Sequence, residues 1–232
     1  MNAGFPGLRD RIQAVREAIA AAAKRSGRDA GAVRLIGVVK TVAADVVREA
    51  VASGLEDLGE NRVQEAEAKI AAVGRKGARW HMVGHVQRNK AGRVVELFDF
   101  VHGVDSLALA QALAQRASSA GRTLPVLVEV NVSGESSKFG VAPADLEPLL
   151  GRVAGLPGLE VRGVMTVGRP VERAEDARAD FARLRELRDG AAARLGLDLP
   201  ELSMGMSGDF GVAVEEGATM VRVGTALFGP RG

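Results

Sequence analysis

The chain has 232 residues, 47% hydrophobic and 26% charged, with 31 basic and 29 acidic side chains for a net charge of +2. That length and apolarity allow a buried core without crosslinks, and the absence of cysteine excludes thiol catalysis, disulfides and cysteine metal sites. Aromatics are 3% and tyrosine is absent, so the stacking platforms of a nucleic-acid binder are missing, and no run approaches the ~20 apolar residues of a membrane span.

Leu8, Ile12, Val15, Ile19 and Ala22 recur at three- and four-residue steps and predict a leading helix within residues 1–27. Asp10 and Glu17 interrupt any signal-peptide core, neither end carries a lipidation motif, and the composition fits a cytoplasmic protein. Residues 34–39 form a β-branched apolar run that reads as a buried parallel strand ending on Lys40. α/β folds place ligands at that end of a strand. An amine beside Val38 and Val39 is poorly solvated, which favours the free base that attacks carbonyls. From this stretch alone, a lysine reaching out to water is the default alternative.

Residues 43–52 read as a helix and 56–59 as a second strand, after which Asn61 can cap a helix running to Val73. Residues 80–83 form strand three and 98–101 strand four, with 102–105 at its end. Ser106 then caps a helix carrying Leu107, Ala110, Leu113 and Ala117. Residues 124–130 form strand five, a loop covers 131–140, and Pro143 starts the next helix. Strand six spans 161–165. Ala177, Phe181, Leu184, Leu187, Ala191 and Leu195 then line one face of a long helix. Residues 202–203 form strand seven, 210–216 a helix and 219–223 strand eight. Eight strands alternating with helices, without a linker, predict a (β/α)8 barrel of one domain spanning 1–232, the leading helix being an addition. A doubly wound open sheet is the alternative.

Barrels commonly bind phosphate on the loops after strands seven and eight. Here Met204-Gly205-Met206-Ser207-Gly208-Asp209 opens a helix, and Gly224-Thr225 leaves strand eight. Each loop alone is an ordinary turn; together, at those two places, they point to phosphate. Arg222 faces either the barrel mouth and a ligand or the helix layer and an acid such as Glu216. His81 and His85 are four apart but straddle a strand end and Gly84, so they read as structural rather than as a metal pair. Lys138 sits in the long loop after strand five, a place for function or for a solvated lysine.

Several stretches match one family: Val39-Lys40-Thr41, Gly59-Glu60-Asn61-Arg62-Val63-Gln64-Glu65, Trp80-His81, Gln87-Arg88-Asn89-Lys90, Ser136-Ser137-Lys138-Phe139-Gly140, Gly163-Val164-Met165-Thr166 and Leu202-Ser203-Met204-Gly205-Met206-Ser207. The chain resembles the pyridoxal 5'-phosphate (PLP) homeostasis proteins, relatives of the alanine racemase N-terminal barrel. The resemblance implies that Lys40 holds PLP as a Schiff base. It implies that Ser207, Gly224 and Thr225 hold the phosphate, that Arg222 faces the pyridine nitrogen, and that Val38, Asn61 and His81 line the pocket. Lys138 matches a family lysine associated with ligand exchange. His85 stands where proline is common and Arg62 where tyrosine is common, departures that bear on the rim.

The expected role is to hold PLP in vitamin B6 homeostasis without turnover, as a monomer, with apo PLP-dependent enzymes as candidate recipients. An active PLP-dependent racemase or other amino-acid enzyme, and a Schiff-base aldolase without cofactor, are the competing readings. A yellow protein argues against the aldolase, and turnover of an amino acid against the carrier.

Overall fold

The computed structural model describes residues 7–230. The chain runs α1 (Leu8–Arg25), β1 (Arg34–Val38), α2 (Ala44–Ala52), β2 (Asp57–Glu60), α3 (Val63–Val73), β3 (Arg79–Met82), α4 (Ala91–Leu97) and β4 (Phe100–Val104). It continues through α5 (Leu107–Ser119), β5 (Leu124–Glu129), α6 (Leu146–Ala154), β6 (Leu159–Met165), α7 (Arg178–Leu195), β7 (Glu201–Ser203), α8 (Phe210–Glu215), β8 (Met220–Val223) and α9 (Thr225–Phe228). Every strand pairs in parallel with its sequence neighbour, and β1 pairs with β8 to close the barrel. The open-sheet alternative is thereby excluded.

Alternation along the strands sorts side chains into two layers. Leu35, Leu58, Trp80, Val101, Val128, Leu202 and Val221 join the core between strands and helices. Ile36, Phe100, Leu127, Met165 and Met220 form a separate apolar cluster inside the barrel. The predicted stripe of α1 is buried at Leu8, Ile12, Val15, Ile19 and Ala22, and the helix packs on α8 and α9. Ser106 caps α5 as expected, its hydroxyl accepting the Leu109 N–H. No helix of the described residues is long and apolar enough to cross a membrane.

Some boundaries differ from the sequence reading. β4 starts at Phe100 rather than residue 98, because Phe98 closes α4 with its N–H on the Val94 carbonyl. β4 also takes in His102 and Gly103, which read as loop residues in sequence. Asn61 does not cap α3: Arg62 holds that position without a side-chain cap bond, since β2 runs on to Glu60 and Asn61 makes the turn. Pro143 heads a short 3-10 turn, Pro143–Asp145, that leads into α6.

Candidate ligand site at the barrel mouth

A cavity of about 570 Å³ lies at the carboxyl ends of β1, β2 and β8 and beside the loop after β7. That volume suits a small-molecule ligand. Of the predicted residues, Val38, Lys40, Asn61, Ser207, Arg222, Gly224 and Thr225 line it.

Lys40 stands two residues past the end of β1, after Val39, which is fully buried. The Val39 carbonyl accepts a hydrogen bond from Lys69 Nζ on α3, and Lys69 also pairs with Glu60. Glu60 points outward from β2 and is 0% exposed. Burial pushes its carboxyl up, with Lys69 pulling the other way. This buried pair braces the backbone that delivers Lys40 to the cavity. The next residue, Thr41, has φ 63°, the left-handed region, unlike any other non-glycine among the described residues. A β-branched residue there is strained, and such strain collects at functional sites.

Asn61 enters the cavity wall from β2, its N–H on Glu60 Oε2 at 3.2 Å. Gly84 makes room for it: a Cβ there would lie 2.5 Å from the Asn61 carbonyl oxygen.

The two candidate phosphate loops are tied together. Ser207 Oγ accepts the N–H groups of Gly224 and Ala226, each at 3.2 Å. Asp209 Oδ1 accepts the Met206 N–H at 2.6 Å and shapes the first loop, and burial pushes the Asp209 carboxyl up.

Arg222 faces the barrel interior and is 4% exposed. Its Nη1 donates to Ser203 Oγ at 2.7 Å and its Nη2 to the Thr166 carbonyl at 2.8 Å. Glu216 instead pairs with Arg178 and Arg185 in the helix layer. Burial draws Arg222 down to about 10, against the pull of Glu129 and Asp209, so it stays a cation at neutral pH.

His81 does not reach the cavity wall. It lies buried inside the barrel, stacked on Phe100, with Nε2 on Asp57 at 2.8 Å and Nδ1 on His102 at 3.0 Å. His85 is separate, with Nδ1 on Asp105 at 3.0 Å and its ring stacked on Phe139 at 3.8 Å. No group of three His, Asp or Glu among the described residues could hold a metal ion. Lys138 is not on the wall either: its Nζ lies 2.9 Å from Glu135 in its own loop. Arg62 is exposed and 3.5 Å from Glu65.

Glu129, on the β5 side of the mouth, escaped the sequence reading. It is 4% exposed, and its buried Oε2 has no hydrogen-bond partner. Burial, then the nearby Asp105, raises its carboxyl to about 7. Lys69, Asp57, His102 and Ser203 were also given no role from sequence; for His102 and Ser203 the available signal was a polar residue inside a short, otherwise apolar stretch, whereas Lys69 and Asp57 stand among other charged residues.

The profile of the alanine racemase N-terminal domain matches residues 11–232. A protein of Pseudomonas aeruginosa named pyridoxal phosphate homeostasis protein is 46% identical over 224 residues, which are 97% of this chain and 96% of that protein. The chain belongs to this family. Its fold matches PipY of Synechococcus elongatus, solved with PLP bound, at a TM-score of 0.84 and 37% identity over 96% of this chain and 100% of that one. Alanine racemase of Corynebacterium glutamicum shares the barrel, with a TM-score of 0.70 at 19% identity over 94% of this chain and 61% of the racemase.

Proposed function

We propose that this protein binds PLP on Lys40 and serves intracellular PLP homeostasis as a carrier without turnover of its own. The observation that supports this most is that Lys40, Arg222 and both small-residue loops line one cavity. PLP requires an amine for its aldehyde and donors for its phosphate at the same site, and it supplies the electrophilic aldehyde. In this reading Lys40 provides the amine, placed by the Lys69 bond to the Val39 carbonyl. Ser207, Gly224 and Thr225 take the phosphate. Arg222 offers N–H groups to the ring nitrogen, and Val38 and Asn61 enclose the ring. Lys138, outside the cavity, is assigned to ligand exchange.

The absence of turnover is argued from what the site lacks. Racemisation needs a base on each face of the substrate carbon, and the chain has no tyrosine. His81, the best substitute in sequence, has both ring nitrogens engaged away from the cavity. We further place the protein in the cytoplasm as a single-domain monomer that supplies apo-enzymes, a placement its lack of cysteine fits.

The test is to load the protein with PLP, reduce with borohydride and map the labelled peptide. The label is expected on Lys40 and absent in Lys40→Ala; a label on Lys138 or Lys90 with Lys40 unmodified overturns the assignment. Incubation of the loaded protein with amino acids in deuterated water is expected to give α-carbon exchange no faster than free PLP gives. Faster exchange makes it an enzyme.

A further inference from the structure

A chain of polar side chains threads the barrel between its apolar residues. It begins at Asp57 on β2, whose carboxylate is held by Arg79 Nε and Nη2, both at 2.9 Å. Asp57 Oδ1 meets His81 Nε2 at 2.8 Å, and His81 Nδ1 meets His102 Nε2 at 3.0 Å. His102 Nδ1 meets Ser203 Oγ at 3.0 Å, and Ser203 Oγ accepts from Arg222 Nη1 at 2.7 Å. Asp57 lines a second cavity of about 410 Å³, with Arg34 and Glu56, at the amino ends of β1 and β2. Arg222 lines the ligand cavity at the opposite end. The bonds therefore connect the two ends of the barrel.

The direction of each bond follows from charge states. Burial pushes Asp57 up, but the bonds from His81 and Arg79 outweigh it and hold the carboxyl below its usual range. Burial pulls His81 down against the pull of Asp57. Burial pulls His102 further, helped by positive charge at Arg222 and Arg34. At pH 7 the wire thus has one carboxylate, two neutral imidazoles, a hydroxyl and a guanidinium.

An ionised carboxylate only accepts, so His81 carries its proton on Nε2 and leaves Nδ1 as an acceptor. His102 then donates from Nε2 and accepts at Nδ1. The acceptor at His102 Nδ1 takes the Ser203 hydroxyl hydrogen, and the Ser203 oxygen keeps its lone pairs for Arg222, which can only donate. Every bond points from Arg222 toward Asp57. Reversal would place a proton on Asp57 against Arg79. Aligned bonds of this kind polarise one another in a low-dielectric interior.

We propose that Asp57, His81, His102 and Ser203 are positioning residues for Arg222, acting as a one-way hydrogen-bond wire. With the Thr166 carbonyl, the wire pins the guanidinium to the barrel wall so that its remaining N–H groups face the cavity. The inference rests on the PLP reading for its purpose, but the wire itself exists in the unloaded chain.

Two measurements test it. The first is long-range ¹H–¹⁵N spectroscopy of the chain's three histidines in the unloaded protein. Two rings are expected to be neutral with the proton on Nε2 at pH 7 and above; loss of one signal set in His81→Phe assigns them. Phenylalanine keeps the stack on Phe100 but removes the acceptor for His102 Nε2, so the His102 proton is expected to move toward Nδ1. Finding fewer than two wild-type rings that are neutral and protonated on Nε2 at pH 7 overturns the wire, and that reading needs no variant to fold.

The second measurement is PLP affinity. Ser203→Ala is expected to weaken binding about tenfold, as loss of one bond to a charged group does, and Ser203→Thr to restore it. Equal affinity in Ser203→Ala and wild type overturns the positioning role. If the wild type binds no PLP while its imidazoles show the expected protons, the proposed function fails and the wire stands.

Discussion

The two sides of the barrel mouth come from the same alternation of strand and helix, yet they treat space differently. On the β1 and β8 side the loops stand back and leave the cavity lined by Lys40, Arg222 and Thr225. On the β4 and β5 side the mouth is filled. Phe139 stacks on His85, His85 holds Asp105, Lys138 holds Glu135, and Glu129 is sealed beneath. Both sides carry lysine and acidic residues. On the filled side His85 meets Asp105 and Lys138 meets Glu135, while on the open side Lys40 and Arg222 line the cavity. Residue type alone therefore does not mark the site; the room in front of the residue does.

The largest expected effect breaks the open side from behind. Lys69→Met removes the cation from a buried pair and leaves Glu60 without a counter-charge, which costs about 3–5 kcal/mol. Urea unfolding measures it, and Glu60→Gln added to Lys69→Met is expected to recover most of the loss. A cost under about 1 kcal/mol would mean that this pair does not brace the backbone at Lys40.

Next comes the filled side. The folded state holds the Glu129 carboxyl at about 7 against an ordinary 4.5. The folded protein therefore binds the proton more tightly than the unfolded chain does. Its stabilising contribution is complete below about pH 4.5 and is lost as pH rises through 7, a difference of about 3 kcal/mol. Glu129→Gln is expected to flatten the fall in stability between about pH 5 and 8 and to leave the variant more stable at pH 8. An unchanged slope in thermal unfolding would show that the group is paired.

The smallest effect sharpens the open side. Thr225→Val is expected to weaken PLP about tenfold, since one hydroxyl bond to an anion is lost. Binding of pyridoxal, which lacks the phosphate, stays the same. Equal weakening of both ligands would move Thr225 from the phosphate to the ring.

Local patterns made much of the fold legible. The stripe of α1 and the β-branched run into Lys40 each announce their burial within a dozen residues. β4 misled because burial is normally apolar, and His102 and Gly103 look like a loop until partners are known. Those partners lie far away in sequence: His102 meets Ser203 across 101 positions. The same distance hid the wire and the Lys69 brace, whose bond to Val39 spans 30 positions. The family resemblance put His81 among the pocket residues; its ring turns inward to Asp57 and His102 instead of joining the cavity wall. α9 was invisible because it begins straight from the glycine turn at Gly224.

The seam where Arg34 pairs with Met220 has a consequence for the order of synthesis. β1 leaves the ribosome early and β8 after every other strand. Until β8 arrives, β1 keeps one edge unpaired, and Lys40 has neither Arg222 nor the Gly224 turn opposite it. A nascent or prematurely stopped chain carries Lys40 without the wall of the cavity that β8 and its following turn supply. A chain stopped before β8 therefore lacks Arg222, Gly224 and Thr225, three of the residues that line the cavity with Lys40.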